Sequence, residues 1–290
     1  MFQKILLCTD GSDQAFSAAN LAADLASRLN AHVDLVHVLD PVIASQPSAF
    51  VPEAILSAEI TLGYAQERQQ GILNRTSHVL EQAHVSYQSY AELGHPVERI
   101  LCIAEEDKAD LIVMGSRGSS TWSLLLLGSV SEGVARHAAC PVLIVRGEPK
   151  GFHEIVIASD GSEGAGRAVR AGMELARDYH ADVSILHVFQ PRVSYAGASR
   201  EDLNPEVHAV RVQEAIARQV EPIARETGVS YRLCQEQGHP AETLAGFAEK
   251  QKADLIVVGS RGLGGFQRLL LGSVSTSVLH HAQCSIMVAR

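Results

Sequence analysis

Two glycine-rich segments of identical spacing are candidates for binding an anion. The first is GSRG at 115–118, followed after nine residues by Gly128 and Ser129. The second is GSRG at 259–262, followed after nine residues by Gly272 and Ser273. Glycine lets the backbone approach a ligand closely, and a helix N-terminus offers unpaired N–H groups with a partial positive charge. The pattern therefore predicts two phosphate sites, each where a loop enters a helix.

The serine after the last glycine predicts how the first of these helices begins. Ser129 is a favoured N-cap residue, and Glu132 would complete a capping box with it. Neither segment contains the G-x-x-x-x-G-K-[ST] loop or the dinucleotide fingerprint, which would follow the first strand. The alternative is that the glycines only form turns and helix C-caps. Two copies with the same spacing favour binding.

An aspartate follows the first predicted strand in each half of the chain, in TDGS at 9–12 and SDGS at 159–162. A carboxylate at this position can accept hydrogen bonds from a ribose or contact a phosphate-bound Mg²⁺. The alternative is that each aspartate caps the following helix. The end of a strand suits both interpretations.

These segments belong to a repeat that covers the chain. KILLCTDGS at 4–12 matches EIVIASDGS at 154–162, and KADLIVMGSRG at 108–118 matches KADLIVVGSRG at 252–262. The offset falls from 150 to 144 residues, a difference that we place in the polar segment after the second strand of the second copy. The repeat predicts two domains, 1–147 and 152–290, joined near the Gly and Pro residues of GEPKGF.

Within each copy, short apolar runs alternate with segments of helical periodicity. The runs KILLCT, VDLVHV, VSYQSYAEL, DLIVMG and PVLIVR in the first copy are mostly continuous, which is typical of parallel strands covered on both faces. The apolar positions of the first helix are Ala18, Ala22, Leu25 and Leu29, with Ala168, Gly172, Leu175 and Tyr179 in the second copy. The alternation predicts an α/β protein of two tandem doubly wound (Rossmann-like) domains, each a five-stranded, mostly parallel sheet with helices on both faces.

Composition narrows the range of functions. The apolar fraction of 46% and charged fraction of 20% are those of a globular protein. A net charge of −9 argues against a nonspecific nucleic-acid binder. No apolar run approaches the ~20 residues of a membrane span. The five cysteines form no C-x-x-C pair and no signal sequence is visible, so we expect reduced thiols in the cytoplasm.

Together these motifs resemble the universal stress protein family in its tandem, two-domain form. The most specific element is G-x-x-G-x₉-G-[ST], which is intact twice and marks the ATP-binding branch of that family. The resemblance implies an adenine nucleotide-binding α/β domain that dimerises through its last strand. We therefore expect CPVLIVR and CSIMVAR to pair antiparallel as a pseudo-dimer within the chain, with a further homodimer as an added expectation.

The resemblance also implies which residues bind the nucleotide. The backbone of Val38 would contact adenine. Apart from the resemblance, Arg117 and Arg261 follow the first glycine of each loop, where they could screen phosphate charge or be ordinary solvated side chains. The first site would comprise Thr9, Asp10, Val38, Met114, Gly115, Gly118, Gly128, Ser129 and Val130. The second would comprise Ser159, Asp160, Val188, Val258, Gly259, Gly262, Gly272, Ser273 and Val274. The loop at 119–127, with Trp122, departs further from the family pattern than the loop at 263–271, with Arg268, which favours the second site.

The sequence predicts a cytoplasmic stress-response protein that binds ATP, with or without Mg²⁺, and acts through nucleotide-dependent association. One alternative is a slow ATP hydrolase or nucleotidyl-transfer enzyme, and another is a scaffold whose vestigial sites bind something else. No nucleophile motif or general base stands out, so no catalytic residue is predicted. Pairs such as His137 with Cys140 lack a second pair of ligands, so no metal site is predicted.

Overall fold

The computed structural model describes residues 2–40, 58–118, 127–189, 205–262 and 271–290. The chain divides into two compact units, Met1–Glu148 and Pro149–Arg290. No helix among the described residues is both long enough and apolar enough to cross a bilayer.

The first unit is built around a five-stranded parallel sheet of order β3-β2-β1-β4-β5. Its strands are β1 (Lys4–Cys8), β2 (His32–Leu39), β3 (Tyr87–Leu93), β4 (Leu111–Gly115) and β5 (Val142–Val145). Its described helices are α1 (Asp13–Leu29), α2 (Ala58–Gln82), α3 (Pro96–Glu106) and α4 (Ser129–His137).

The second unit repeats this arrangement, with the order β10-β9-β6-β7-β8 and parallel pairing. Its strands are β6 (Glu154–Ala158), β7 (Asp182–Phe189), β8 (Tyr231–Gln237), β9 (Leu255–Gly259) and β10 (Ser285–Ala289). Its described helices are α5 (Glu163–Tyr179), α6 (Pro205–Thr227), α7 (Pro240–Gln251) and α8 (Ser273–His281).

The strand order fixes where each unit can bind a ligand. The chain moves outward from β1 to β2 and β3, then returns to β4 on the other side of β1. Right-handed crossovers then place α1 and α2 on one face of the sheet and α3 and α4 on the other. In agreement, α1 contacts α2 and α3 contacts α4. The predicted doubly wound fold is confirmed, and its switch point lies between β1 and β4.

The buried faces agree with most of the predicted periodicity. Ala18, Ala22 and Leu25 of α1 are at most 1% exposed, whereas Leu29 at the end of the helix is only half-buried. In α5, a Cβ on Gly172 would lie 2.6 Å from Cδ1 of Ile157, so glycine lets this helix pack closely on β6. Apolar helix faces therefore anchor the elements that carry the candidate site.

The third strand begins later than the apolar run predicts. The run starts at Val85, but β3 starts at Tyr87. The N–H of Val85 donates to the carbonyl of Leu80, 3.0 Å away, in the turn after α2. Val85 is buried, so its apolar character reflects packing of this turn rather than strand pairing.

Candidate functional site

A cavity opens at the carboxyl edge of the sheet in each unit. It is lined by the turn after the first strand, the ends of the second and fourth strands, and the N-terminal turns of the third and fourth helices. Its volume is about 170 Å³ in the first unit and about 470 Å³ in the second. Both cavities lie at the switch point, where doubly wound sheets bind ligands.

All residues predicted for the two sites line these cavities. The first cavity brings together Thr9, Asp10, Val38, Met114, Gly115, Gly118, Gly128, Ser129 and Val130. The second brings together Ser159, Asp160, Val188, Val258, Gly259, Gly262, Gly272, Ser273 and Val274. This grouping is geometric, and binding of a nucleotide by these residues remains a prediction.

The aspartates do not cap the first helix of either unit. Ser12 caps α1 by accepting the N–H of Ala15 at 3.2 Å. Oδ1 of Asp10 instead accepts the N–H of Ser12 at 3.0 Å and its hydroxyl at 2.6 Å. In the second unit Ser162 is the cap, and Asp160 accepts its N–H at 3.0 Å. The alternative capping role is therefore wrong, and each carboxylate is held beside its cavity by the turn that follows it.

The second glycine of each GSRG segment lies against the aspartate carboxylate. A Cβ on Gly118 would lie 2.5 Å from Oδ2 of Asp10, and a Cβ on Gly262 would contact Oδ2 of Asp160 even more closely. A side chain here would collide with the carboxylate or displace it. Glycine thus lets the loop after the fourth strand pass directly over the turn after the first.

The fourth helix of the first unit starts one residue earlier than predicted. Gly128 is the N-cap of α4, its carbonyl accepts the N–H of Glu132 at 2.9 Å, and no side chain caps the helix. Ser129 is the first helical residue, so the predicted capping box with Glu132 is wrong. Gly272 has the same role at the start of α8. Among the described residues, no side chain caps the first turn of either helix, and uncapped N–H groups at a helix start suit an anion.

The next serine in each of these helices fixes the helix to the strand end. The hydroxyl of Ser131 donates to the carbonyl of Gly115 at 2.8 Å, and that of Ser275 donates to the carbonyl of Gly259 at 2.6 Å. The helix N-terminus is therefore held at a fixed position relative to the first glycine of the loop.

A buried histidine lines each cavity, although neither belongs to the predicted set. Nδ1 of His37 lies 2.8 Å from the carbonyl oxygen of Thr9, and Nδ1 of His187 lies 3.0 Å from that of Ser159. Burial lowers the pKa of His37, although the Thr9 carbonyl and the Asp10 carboxylate act in the opposite direction. The sequence feature that could have identified these histidines is the His-Val pair near the end of the second strand, which is repeated in both units.

The third helix of each unit supplies an apolar wall that the predicted set also omits. Pro96 and Ile100 of α3 line the first cavity, and Pro240 and Leu244 of α7 line the second. Both helices start with proline, in the repeated G-H-P motif. That repeat pointed to this wall, but only the fold shows that it faces the cavity.

Arginine stands beside both cavities. Arg117 is half-buried and Arg261 is exposed, and each lines its cavity as expected from the repeated GSRG segment. The segments 119–126 and 263–270, which contain Trp122 and Arg268, lie outside the described residues. Among the described residues, no group of three His, Cys, Asp or Glu side chains is placed to hold a metal ion.

Comparison with known proteins links the repeat to one family. The model of the universal stress protein family matches residues 1–146 and 151–290. A universal stress protein of Mycolicibacterium smegmatis is 30% identical over 297 residues, covering 99% of this chain and 96% of that protein. Universal stress protein Rv2623 of Mycobacterium tuberculosis is 28% identical, with coverage of 99% and 96%.

A solved structure agrees over the same length. The crystal structure of a universal stress protein from Archaeoglobus fulgidus is 26% identical and covers 99% of this chain and 96% of its own, with a TM-score of 0.70. Tandem relatives therefore share both halves of the chain.

Proposed function

Because this chain belongs to the universal stress protein family, we propose that it binds adenine nucleotides, and ATP in particular, in the cavities of its two units. The observation that carries the proposal is the start of α4 and of α8, where a glycine cap leaves the helix without a side-chain cap among the described residues and the first helical residues line a cavity. A phosphate chain supplies the missing acceptors and the negative charge that a helix N-terminus favours.

The extent of each cavity supports a ligand longer than phosphate alone. The anion end lies beyond β4, and the histidine and valine at the other end lie on β2. These strands flank β1, so they stand about 10 Å apart at the usual spacing of a sheet. The apolar wall of Pro96 and Ile100 provides a surface for a flat base. A nucleotide has this combination of a planar apolar end and an anionic end.

Asp10 and Asp160 are the groups that would hold a magnesium ion bound to the phosphates. Each is the only carboxylate among the described residues that line its cavity. Mg²⁺ commonly binds through one or two carboxylates together with substrate phosphates, and keeps several waters. The ion would neutralise phosphate charge next to the carboxylate.

We extend the proposal to a role in the stress response through nucleotide-dependent association, in the cytoplasm. All five cysteines lie in the described ranges and none forms a disulfide bond, as is usual for proteins of reducing compartments. The association would use the last strand of each unit, as a pseudo-dimer within the chain or as a homodimer. A change in the oligomeric state of the purified protein when ATP is added would test this part.

The binding proposal is tested by denaturing the freshly purified protein, chromatographing the released small molecules and titrating the stripped, refolded protein with ATP. Release of an adenine nucleotide and saturable binding are expected. No release and no binding at millimolar ATP would contradict the proposal. Phosphate release measured over hours separates a binding protein from a slow hydrolase, because only a hydrolase would exceed the rate of a Gly118→Val, Gly262→Val double variant.

A further inference from the structure

Each buried histidine has a second ring nitrogen, Nε2, that the proposed phosphate site does not use. A carbonyl oxygen carries only lone pairs, so the contacts of His37 with Thr9 and of His187 with Ser159 require hydrogen on Nδ1 in both rings. In the neutral ring Nε2 then carries the lone pair and accepts hydrogen bonds. The hydrogen bond from Nδ1 to the turn after the first strand therefore leaves Nε2 of the neutral ring as a hydrogen-bond acceptor.

The other ring nitrogen of each histidine, Nε2, is a hydrogen-bonding atom that the turn after the first strand does not use. Among the described residues, neither Nε2 atom has a hydrogen-bond partner. The hydrogen bonds of both rings are made by Nδ1. His37 and His187 are only 9% and 8% exposed. Some described side-chain atoms are fully buried and lack a hydrogen-bond partner, and neither Nε2 atom belongs to that group. Both histidines line their cavities, which places the rings within reach of a ligand bound there.

The position of the rings indicates which part of a ligand they meet. His37 lies near the end of β2, and the start of α4 lies beyond β4, on the other side of β1. If phosphates occupy the helix N-terminus, as the proposed function requires, the ring meets the nucleoside end. A nucleoside carries two kinds of donor, an exocyclic amine and the ribose hydroxyls.

We propose that His37 and His187 are specificity-determining residues whose Nε2 atoms accept a hydrogen bond from a donor on the nucleoside. This inference rests on the proposed nucleotide binding. The neutral ring suits the role, because burial lowers the pKa of His37 and so favours the form with a lone pair. The presence of the same ring, contact and exposure in both units argues against an accident of packing.

The test uses substitutions that separate the two edges of the ring. Asparagine keeps a donor near the Nδ1 position, and so can retain the bond to the first turn, but has no atom at the Nε2 position. Glutamine places a polar atom near Nε2. His37→Asn and His37→Gln are made in a Gly262→Val chain, and His187→Asn and His187→Gln in a Gly118→Val chain. His78 is an exposed histidine, and His78→Asn is the matched control.

Dissociation constants are measured for ATP, inosine triphosphate, which lacks the amine, and 2′-deoxy-ATP, which lacks a hydroxyl. The parent chain should bind ATP about 3- to 10-fold more tightly than one of the two analogues, the usual range for one hydrogen bond. The asparagine variants should reduce that ratio to near one, and the glutamine variants should keep part of it. The analogue that is discriminated against identifies the amine or the hydroxyl as the donor.

Two results would overturn the inference. The parent chain could bind all three triphosphates equally, or the asparagine variants could keep the same ratio. A uniform loss of affinity for every ligand would mean that the histidine only holds the turn. Failure of the parent chain to bind any triphosphate would instead refute the proposed function itself, and the inference with it.

Discussion

The two cavities have matching walls but different sizes. Every residue that lines the first has a counterpart in the second, yet the volumes are about 170 Å³ and about 470 Å³. Three pairs have the larger side chain in the first unit: Cys8 and Ala158, Thr9 and Ser159, and Met114 and Val258. Leu186 in place of Val36 acts in the opposite direction. Only the second cavity lies within the range of about 300–1,000 Å³ usual for small-molecule sites.

The two cavities share the features that hold the loop and helix in place, and they differ in a few of the side chains that a ligand would contact. Both units share a glycine that clears a carboxylate, a glycine cap, and a serine hydroxyl that joins the helix to the strand. Among the described lining residues, the units differ only in the four pairs just named and in Ile100, whose counterpart is Leu244. We therefore expect both units to keep the anion site and the second to bind ATP more tightly.

Filling the glycine position that lies over the aspartate tests the difference between the two cavities most severely. Gly262→Val should lower the affinity of the second site for ATP by about 100-fold or more, because its side chain would collide with the Asp160 carboxylate. Gly118→Val should have a smaller effect on total binding, because we expect the first cavity to bind ATP more weakly. Calorimetric titration would measure both.

Gly246→Val is the control, because a Cβ at Gly246 meets nothing within 4 Å. Its affinity should equal that of the parent chain. An unchanged affinity in Gly262→Val would show that the second cavity does not hold the nucleotide.

A second contrast concerns stability at the opposite edge of the sheet. Asp34 is 1% exposed and its carboxylate lies 3.2 Å from Nζ of Lys4, whereas the corresponding region of the second unit pairs Glu154 with the largely exposed Arg232. Lys4→Met should lower the free energy of unfolding by about 2 kcal/mol, because it removes the main partner of a buried charge. Arg232→Met should cost about 0.5 kcal/mol.

Urea denaturation of both variants checks this prediction, and Asp34→Asn in the Lys4→Met chain is the rescue control. Equal losses in the two single variants would contradict it. The nearby His32, whose Nε2 lies 3.4 Å from Asp34, is why we expect less than the full cost of an isolated buried charge.

Exchanging one side chain between the cavities should sharpen the difference in affinity. Val258→Met should weaken ATP binding at the second site by about 10-fold, because the longer side chain occupies cavity volume. Met114→Val should strengthen binding at the first site. Titration of single-site chains measures both, and Met287→Val, which changes a core residue of β10 away from the cavity, is the control. Opposite signs would mean that the size difference does not govern affinity.

The smallest expected contrast concerns the serine caps. Ser12→Ala and Ser162→Ala should each cost about 1 kcal/mol of stability through the lost cap. Only Ser12 also donates its hydroxyl to the aspartate, at 2.6 Å. Ser12→Ala should therefore change nucleotide affinity at the first site more than Ser162→Ala changes it at the second. The shift in unfolding temperature caused by ATP measures this difference. Equal ligand-induced shifts would contradict this role of the hydroxyl.

Much of the candidate site could be predicted because it is encoded in short, repeated segments. Asp10 and Gly118 follow recognisable strands by two and three residues, and parallel strands bring their ends to one edge. The cap at Gly128 was missed because side-chain preferences favour serine, whereas the helix here starts on a glycine carbonyl. The contact between His37 and Thr9 depends on how two strands are aligned, which no local pattern specifies.

The central claim is that the N-termini of α4 and α8 bind the phosphates of an adenine nucleotide. The most direct measurement is a crystal structure of the full chain grown with excess ATP. We expect triphosphate oxygens within hydrogen-bond distance of the N–H groups of Ser273 and Val274, with adenine beside Val188. A triphosphate bound elsewhere, or a second cavity closed by its own side chains at saturating ATP, would contradict the account.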